Sequence, residues 1–221
     1  MICHMMGSVD GRIQSSRWGV ADAARFFEDQ AAKIKVDAWM VGRTTMEEFS
    51  SKKPRRKRKG VPRIAKEDWI AAARARSYAV AIDPAGKCSW DSNEVAGDHV
   101  IEVLTRRVTS GYLAHLREQR VSYIFGGDRA LDLKLVLRKL QQHFGIERVR
   151  LDGGGGNNGS FLAAGLIDEL SLVLMPVADG STGTPTVFDT GTRARKATKL
   201  SLRSVERLGG GALWLRYRAG K

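Results

Sequence analysis

At 221 residues and 43% hydrophobic content, the chain has an ordinary globular composition and enough length to bury a substantial core. No apolar run approaches the roughly 20 residues that cross a bilayer, and Met1 leads straight into a strand-like segment with no basic and apolar leader, so a soluble cytoplasmic protein is expected. The formal net charge is +13, yet eight bases and no acid fall between Lys52 and Arg63, and the other 29 Lys and Arg nearly balance the 24 acids. That run has three readings: a solvated loop, a lid that attracts a phosphorylated small molecule, or a grip on nucleic acid through counterion release. No aromatic residue is interleaved to stack bases, which counts against nucleic acid.

In chain order, Ile2-Cys3-His4-Met5-Met6 reads as a short strand closed by the turn Gly7-Ser8-Val9-Asp10-Gly11. Ala24, Phe27, Ala31 and Ile34 recur at three- and four-residue spacing, which predicts an amphipathic helix over 21–35. Asp37 to Gly42 is too short and apolar for anything but a buried strand. Met46-Glu47-Glu48-Phe49 then starts a short helix, with Thr44 or Thr45 as its N-cap. Beyond the basic loop at 51–64, Glu67 to Arg76 reads as a helix. Ser77 to Asp83 and His99 to Thr105 are strands, followed by a helix through Leu113 and Leu116 and the strand Val121 to Phe125. A longer helix holds Leu131, Leu135, Leu137 and Leu140 and closes near Gly145. The tail changes character: Glu169 to Val177, Lys199 to Arg207 and Ala212 to Arg218 are strands with no long helix between them.

Alternating strands and helices indicate an α/β fold with a mainly parallel sheet, finished at one edge by antiparallel C-terminal strands. No repeat or domain-sized linker interrupts it, so 1–221 is expected to be a single domain. Cys3 and Cys88 fit no metal or redox spacing and are expected as reduced packing residues. His4, His99, His115 and His143 are scattered, and no structural metal is expected.

The stretch Arg148 to Phe161 is the most informative. An apolar alternation ends in Asp152, a glycine patch follows, and Ser160 opens a short apolar run. A strand therefore feeds a helix through a turn stripped of side chains. Glycine lets backbone approach a ligand closely, and the N–H groups at a helix start favour anions, so phosphate is the natural guest; a tight connection is the other reading. Gly154 to Gly159 formally satisfies G-x-G-x-x-G, with Asp179 about where a ribose-binding acid would stand. The following helix is short, the motif falls late in the chain and no second βαβ half follows, so a Rossmann site fits poorly. No Gly-Lys-Ser/Thr closes the turn, which excludes a P-loop.

Several short matches fall in the same order along nearly the whole chain. Ser8-Val9-Asp10-Gly11 resembles the S-x-D-G turn after the first strand of the reductase domain of riboflavin-biosynthesis deaminase/reductase enzymes, and Ser16-Arg17-Trp18 resembles the S-x-W that follows. Val41-Gly42-Arg43-Thr44-Thr45 is similar to the G-R-x-T of dihydrofolate reductases. Gly145 through Gly154 resembles the family's strand ending in E-G-G, and Gly165 to Leu170 with Met175-Pro176 matches its G-L-(V/I)-D-E-L and strand-proline. The resemblance implies a three-layer dihydrofolate reductase-like fold with helices on both faces of the sheet, a homodimer, and NADPH as cofactor.

It also implies roles. Gly154, Gly155, Gly156, Asn157, Asn158, Gly159 and Ser160 would offer N–H groups to the pyrophosphate. Thr45 would bond a phosphate beside Gly42, and Arg43 would suit the 2′-phosphate by its forked, permanent charge. Thr105 and Arg106, with Arg107, would flank the adenine ribose, while Trp18 and the backbone near Gly7 would face the nicotinamide. These groups would form a two-sided clamp on NADPH. For a phosphorylated substrate the family positions fall on Asp10, Ser16 and Asp152, with Lys33 near a phosphate-binding position. The implied reaction delivers hydride to ribose C1′ of 5-amino-6-(5-phosphoribosylamino)uracil or its 2,5-diamino-pyrimidinone analogue. Two departures bear on the substrate: Thr45 is followed by Met46-Glu47-Glu48-Phe49 rather than the family's Asp and Asn- or Asp-Pro, and the strand-end Glu is the shorter Asp152. The alternatives are a paralogous NADPH reductase of another pterin-like or carbonyl compound, and a nucleic-acid-binding protein using the 52–63 run.

Overall fold

The apolar runs of the sequence become strands, and their order follows the expected alternation. A computed structural model of the protein describes residues 1–51, 60, 62–191 and 197–220. In chain order they form β1 (Ile2–Gly7), α1 (Ala23–Ala32), β2 (Ala38–Gly42), α2 (Arg43–Phe49), β3 (Tyr78–Ile82), β4 (Glu94–Val95), β5 (Asp98–Thr105), α3 (Ser110–Glu118), β6 (Ser122–Gly127), α4 (Leu133–Phe144), β7 (Val149–Leu151), α5 (Gly155–Ala163), β8 (Glu169–Leu174), β9 (Leu200–Arg207) and β10 (Leu213–Ala219). The basic stretch Lys52 to Lys59 lies outside the described residues. Among the described residues no helix is long and apolar enough to cross a membrane. The chain divides into two compact units, Met1–Val36 with Arg150–Lys221, and Asp37–Val149.

In the unit of residues 37–149, β2, β3, β5 and β6 pair in parallel, and β4 folds back antiparallel on β5. Every residue of β3 is buried, which is why it reads as an unbroken apolar run rather than an alternation. Thr109 caps α3 by accepting from the Tyr112 N–H, and Asp132 caps α4 by accepting from Lys134 and Leu135. The buried face of α4 is Val136, Leu140 and Phe144, with Leu135 and Leu137 half-buried beside it.

The helix expected over Glu67 to Arg76 is absent. Trp69 instead exchanges two backbone hydrogen bonds of 2.9 Å with Tyr123 on β6, and the Ala71 N–H goes to Ser122 Oγ at 3.0 Å. Asp68 takes the Phe125 N–H at 2.8 Å and the Lys139 ammonium. Backbone groups satisfied by β6 cannot also close helical turns, so tertiary pairing overrides local pattern.

In the other unit, β1 lies parallel to both β7 and β8, β8 is antiparallel to β10, and β10 to β9. The antiparallel finish matches the expectation. Cys3 and Cys88 are both buried and free, as expected. A polar chain crosses the core of this unit. His4 is fully buried, and its Nε2 lies 3.0 Å from the Phe27 carbonyl, which accepts only. Nε2 therefore carries the proton, and Nδ1 accepts from Ser171 Oγ at 2.9 Å, while Ser171 in turn accepts from Trp214 Nε1 at 2.8 Å. Burial lowers the His4 pKa to about 4, so the ring stays neutral at physiological pH. Ser171→Ala should strip partners from two buried groups at once and destabilise the protein by roughly 2–4 kcal/mol. Urea unfolding would measure it, and a loss below about 0.5 kcal/mol, the scale of an inert surface change, would contradict this reading.

Candidate functional site

The glycine turn after β7 is built as the sequence suggests, with a division of labour it does not reveal. Gly154 sits at φ 79°, a left-handed conformation that favours glycine, and serves as N-cap of α5. The first backbone bond of the helix runs from the Asn158 N–H to the Gly154 carbonyl at 3.0 Å. Among the described residues the N–H groups of Gly155, Gly156 and Asn157 have no acceptor, and the first turn holds no acid. Such an end attracts an anion.

Gly155 and Gly159 have another purpose. A Cβ on Gly155 would lie 2.2 Å from the Thr186 carbonyl oxygen, and one on Gly159 would lie 2.0 Å from that of Asp189. Asn158 is buried and donates to the Val187 carbonyl at 2.9 Å. These residues seat a protein loop, leaving Gly154, Gly156, Asn157 and Ser160 on the more open side. The Ser160 hydroxyl turns back to the Gly156 carbonyl at 2.8 Å.

That loop, Pro176 to Thr190, also fastens the turn after β1. Asp10 accepts from the Ser8 hydroxyl at 2.6 Å and from the N–H groups of Asp179 and Gly180 at 2.9 Å each, bonds that hold its carboxyl well below the usual range. Trp18 donates from Nε1 to Asp179 at 2.8 Å and packs partly buried against the core. Asp179 thus anchors an indole. Gly7 ends β1, where a Cβ would meet Val187 at 3.2 Å. Ser16 is exposed on a single 3-10 turn. Lys33 reaches Gln30 at 2.8 Å and Glu206 at 3.6 Å, and lies over the Trp214 ring. The loop's part in the site went unseen in the sequence; its one signal was a density of turn formers, Asp179-Gly180-Ser181-Thr182-Gly183 with Pro185.

Asp152, unlike Asp10, is perturbed upward. Arg150 grips it with Nε and Nη2 at 2.7–2.9 Å and spends Nη1 on the Ala31 carbonyl. Burial pushes the Asp152 carboxyl up to about 6 despite the guanidinium, so desolvation outweighs the pair.

In the other unit, α2 starts at Arg43 with Gly42 as N-cap and no side-chain cap. Thr44 and Thr45 are therefore inside the first turn, not at the cap expected for them. The Arg43 guanidinium bonds Glu47 one turn on at 2.6 Å. Thr105 is buried, and its hydroxyl donates to the Pro84 carbonyl at 2.6 Å. Arg106 and Arg107 are exposed, with Arg106 3.4 Å from Asp128. The fold also gathers Asp83, Cys88 and Glu102, whose potential ligand atoms lie within 4.8 Å of one another. Asp83 Oδ2 takes the N–H groups of Lys87 and Cys88, and Glu102 takes Trp90 Nε1 and the Tyr112 hydroxyl, so this buried trio ties down the turn after β3.

Two solved structures share this architecture. One is a pyrimidine reductase-like protein from Corynebacterium diphtheriae, with a TM-score of 0.72 at 14% identity over 100% of this chain and 91% of that one. The other is RibD of Acinetobacter baumannii, with a TM-score of 0.67 at 18% identity over 99% of this chain and 57% of that one. At such identities the likeness defines a class of fold, the dihydrofolate reductase-like α/β fold expected above. The chain belongs to the RibD C-terminal domain family, whose model matches residues 1–214. It is also 38% identical over 77 residues to the 2,5-diamino-6-ribosylamino-4(3H)-pyrimidinone 5′-phosphate reductase of Methanothermobacter thermautotrophicus, a stretch that is 35% of each protein.

The Asp152 shift has a definite sign. Its folded-state pKa lies above the unfolded value of 3.8, so the native state holds the extra proton between about pH 4 and 6 and loses stability as pH rises through that window. Asp152→Asn should flatten the wild-type decline, which is about 3 kcal/mol for a shift of this size. Denaturant unfolding across pH, wild type against variant, would measure it; parallel curves would count against the raised carboxyl.

Proposed function

We propose that the chain is an NADPH-dependent pyrimidine reductase of riboflavin biosynthesis, acting on 5-amino-6-(5-phosphoribosylamino)uracil or its 2,5-diamino-pyrimidinone analogue. Beside the family membership, the observation that carries this reading is the acid-free amino end of α5, with three N–H groups lacking an acceptor among the described residues. Bound NADPH supplies a hydride for the ribose C1′ of the substrate, presented as its imine. The protein's work is placement and field. Gly154, Gly156 and Asn157 lie on the more open side of α5 and offer backbone to a pyrophosphate, whereas Gly155, Asn158 and Gly159 hold the loop that shapes that end. Arg43, Thr45 and Arg106 supply charge and a hydroxyl for the adenosine phosphates, and Thr105 fixes the strand end from which Arg106 projects. Gly7 and Trp18 frame the nicotinamide. Asp10 sets the turn, and Ser16, Lys33 and Asp152 serve the phosphorylated substrate. A carboxyl titrating near 6, as in Asp152, can hold or release a proton near neutral pH.

A second reading keeps the scaffold and cofactor and changes the substrate. It is favoured by Glu47, part of the departure after Thr45, which occupies Arg43 at 2.6 Å. Purified protein should be stabilised more by NADPH than by NADH in thermal shift, since a ligand of the folded state raises the melting temperature. It should also oxidise NADPH in the presence of the ribosylamino-pyrimidine phosphate. Binding without turnover would move the assignment to the second reading, and absence of both would sink it.

The same proposal includes a homodimer. All eight residues of β9 are exposed, among them Leu200, Leu202 and Val205 at 40, 56 and 53%. They register opposite Ala219, Tyr217 and Leu215 of β10, alternate positions that place the three on one face of the sheet. A contiguous apolar face of this kind marks an association surface. Leu202→Glu should convert a dimer to monomer in light scattering, while a wild-type monomer would refute the pairing.

A further inference from the structure

The unit of residues 37–149 carries a cluster of bases of its own. Arg63, Lys66, Arg106 and Ser110 line a cavity of 530 Å³, with Glu67 as its one acid. Three bases against one acid leave a net excess of two positive charges. Among the described residues Arg63 and Lys66 make no ion pair, and the one contact of Arg106 with a carboxylate is the exposed one to Asp128 at 3.4 Å. Arg43, by contrast, is already paired with Glu47.

The remaining groups point the same way. Lys66 donates to the Val108 carbonyl, which fixes its ammonium, and its pKa is lowered by burial and by the charge of Arg63. Two bases held close enough to repel one another are stabilised by an anion between them. Ser110 Oγ accepts the Ile64 N–H at 3.1 Å, so its own O–H remains available to donate. Ser110 also opens α3, a nine-residue helix with no acid in its first turn, and the N–H groups of Ser110 and Gly111 have no acceptor among the described residues. The cavity therefore offers cations, a hydroxyl donor and a helix amino end together.

We infer that this cavity binds a phosphomonoester. A dianionic group with three acceptor oxygens matches two surplus charges and several convergent donors better than a carboxylate does. The volume accommodates the sugar that carries the phosphate as well as the phosphate itself. The same chemistry has two sources: the 2′-phosphate of NADPH, which rests on the reductase reading through the shared Arg106, or a separate sugar phosphate, which does not.

Arg63→Ala and Lys66→Met separate these outcomes. Calorimetry on the full chain would compare wild type and variants with NADPH, NADH, ribose 5-phosphate and inorganic phosphate. Arg63 is exposed and pairs with no described residue, so its variant should keep the ligand-free melting temperature and controls for any loss of fold in Lys66→Met. If the guest is the 2′-phosphate, both variants should bind NADPH about tenfold more weakly with NADH unchanged. If it is a separate phosphate, ribose 5-phosphate and inorganic phosphate should weaken about tenfold with NADPH unchanged. Unchanged affinity for all four probes, or no phosphate-dependent binding by wild type, overturns the inference. A wild type that binds phosphates but no nicotinamide cofactor would remove the reductase reading and leave this one standing.

Discussion

The segment from Val177 to Asp189 has no helix or strand of its own, so its backbone polar groups must find partners elsewhere. The N–H groups of Ser181 and Thr186 find theirs in the side chains of Asp179 and Asp189, and others find theirs in two further places. The turn after β1 supplies the Asp10 carboxylate for two N–H groups, the Val9 N–H for the Val177 carbonyl, and the Gly11 carbonyl for the Val187 N–H. Helix α5 supplies the Gly155 carbonyl for the Asp189 N–H and the Asn158 amide for the Val187 carbonyl. This one requirement fixes the glycines at 155 and 159, the buried amide at 158, the low pKa of Asp10 and the position of Trp18. It also brings the first turn of the chain and the glycine-rich helix onto a common loop, so the two elements proposed to meet the cofactor are tied to the same segment.

Charge is managed differently in each unit. Around Arg150 the fold buries an ion pair, and the raised Asp152 pKa shows that solvation lost exceeds Coulomb energy gained. Such a pair is a weak source of stability and a sensitive place to move a proton, which suits a strand end beside a glycine turn. At Arg106, Arg63 and Lys66 the balance is reversed: like charges converge with one acid among them, and the mutual repulsion is left for a ligand to relieve.

Much of the architecture was legible because strands buried on both faces announce themselves as short apolar runs and capped helices as periodic ones. β1, β2, β3, β5, β6 and the three C-terminal strands fall where alternation and glycine punctuation put them. The failure at Glu67 to Arg76 has a specific cause: Trp69 and Asp68 bind β6 more than 50 residues away, a pairing no local window contains. The start of α2 was missed because Gly42 satisfies its cap position without a side chain, so the threonines that look like caps belong to the helix itself. Of the leucines read into α4, Leu140 is buried, Leu135 and Leu137 are half-buried and Leu131 precedes the helix, because Val136 and Phe144 share the buried face with Leu140.

The site was legible at the level of its glycines and not of their purposes. Read as sequence, Gly154 to Gly159 is one cradle. In the fold, alternate members answer to different neighbours, because a helix turns its residues by about 100° each and only one side can face a ligand. Gly155 and Gly159, four apart, meet the 186–189 backbone, while Gly156 and Ser160, also four apart, stay exposed. A side chain on the first pair would drive the loop off the helix and loosen Asp10 and Trp18 with it; one at Gly156 would meet open space within 4 Å and change only what can approach the free N–H groups. Loop seating and open backbone thus lie on two faces of one short helix. A mutation series along it would separate them residue by residue.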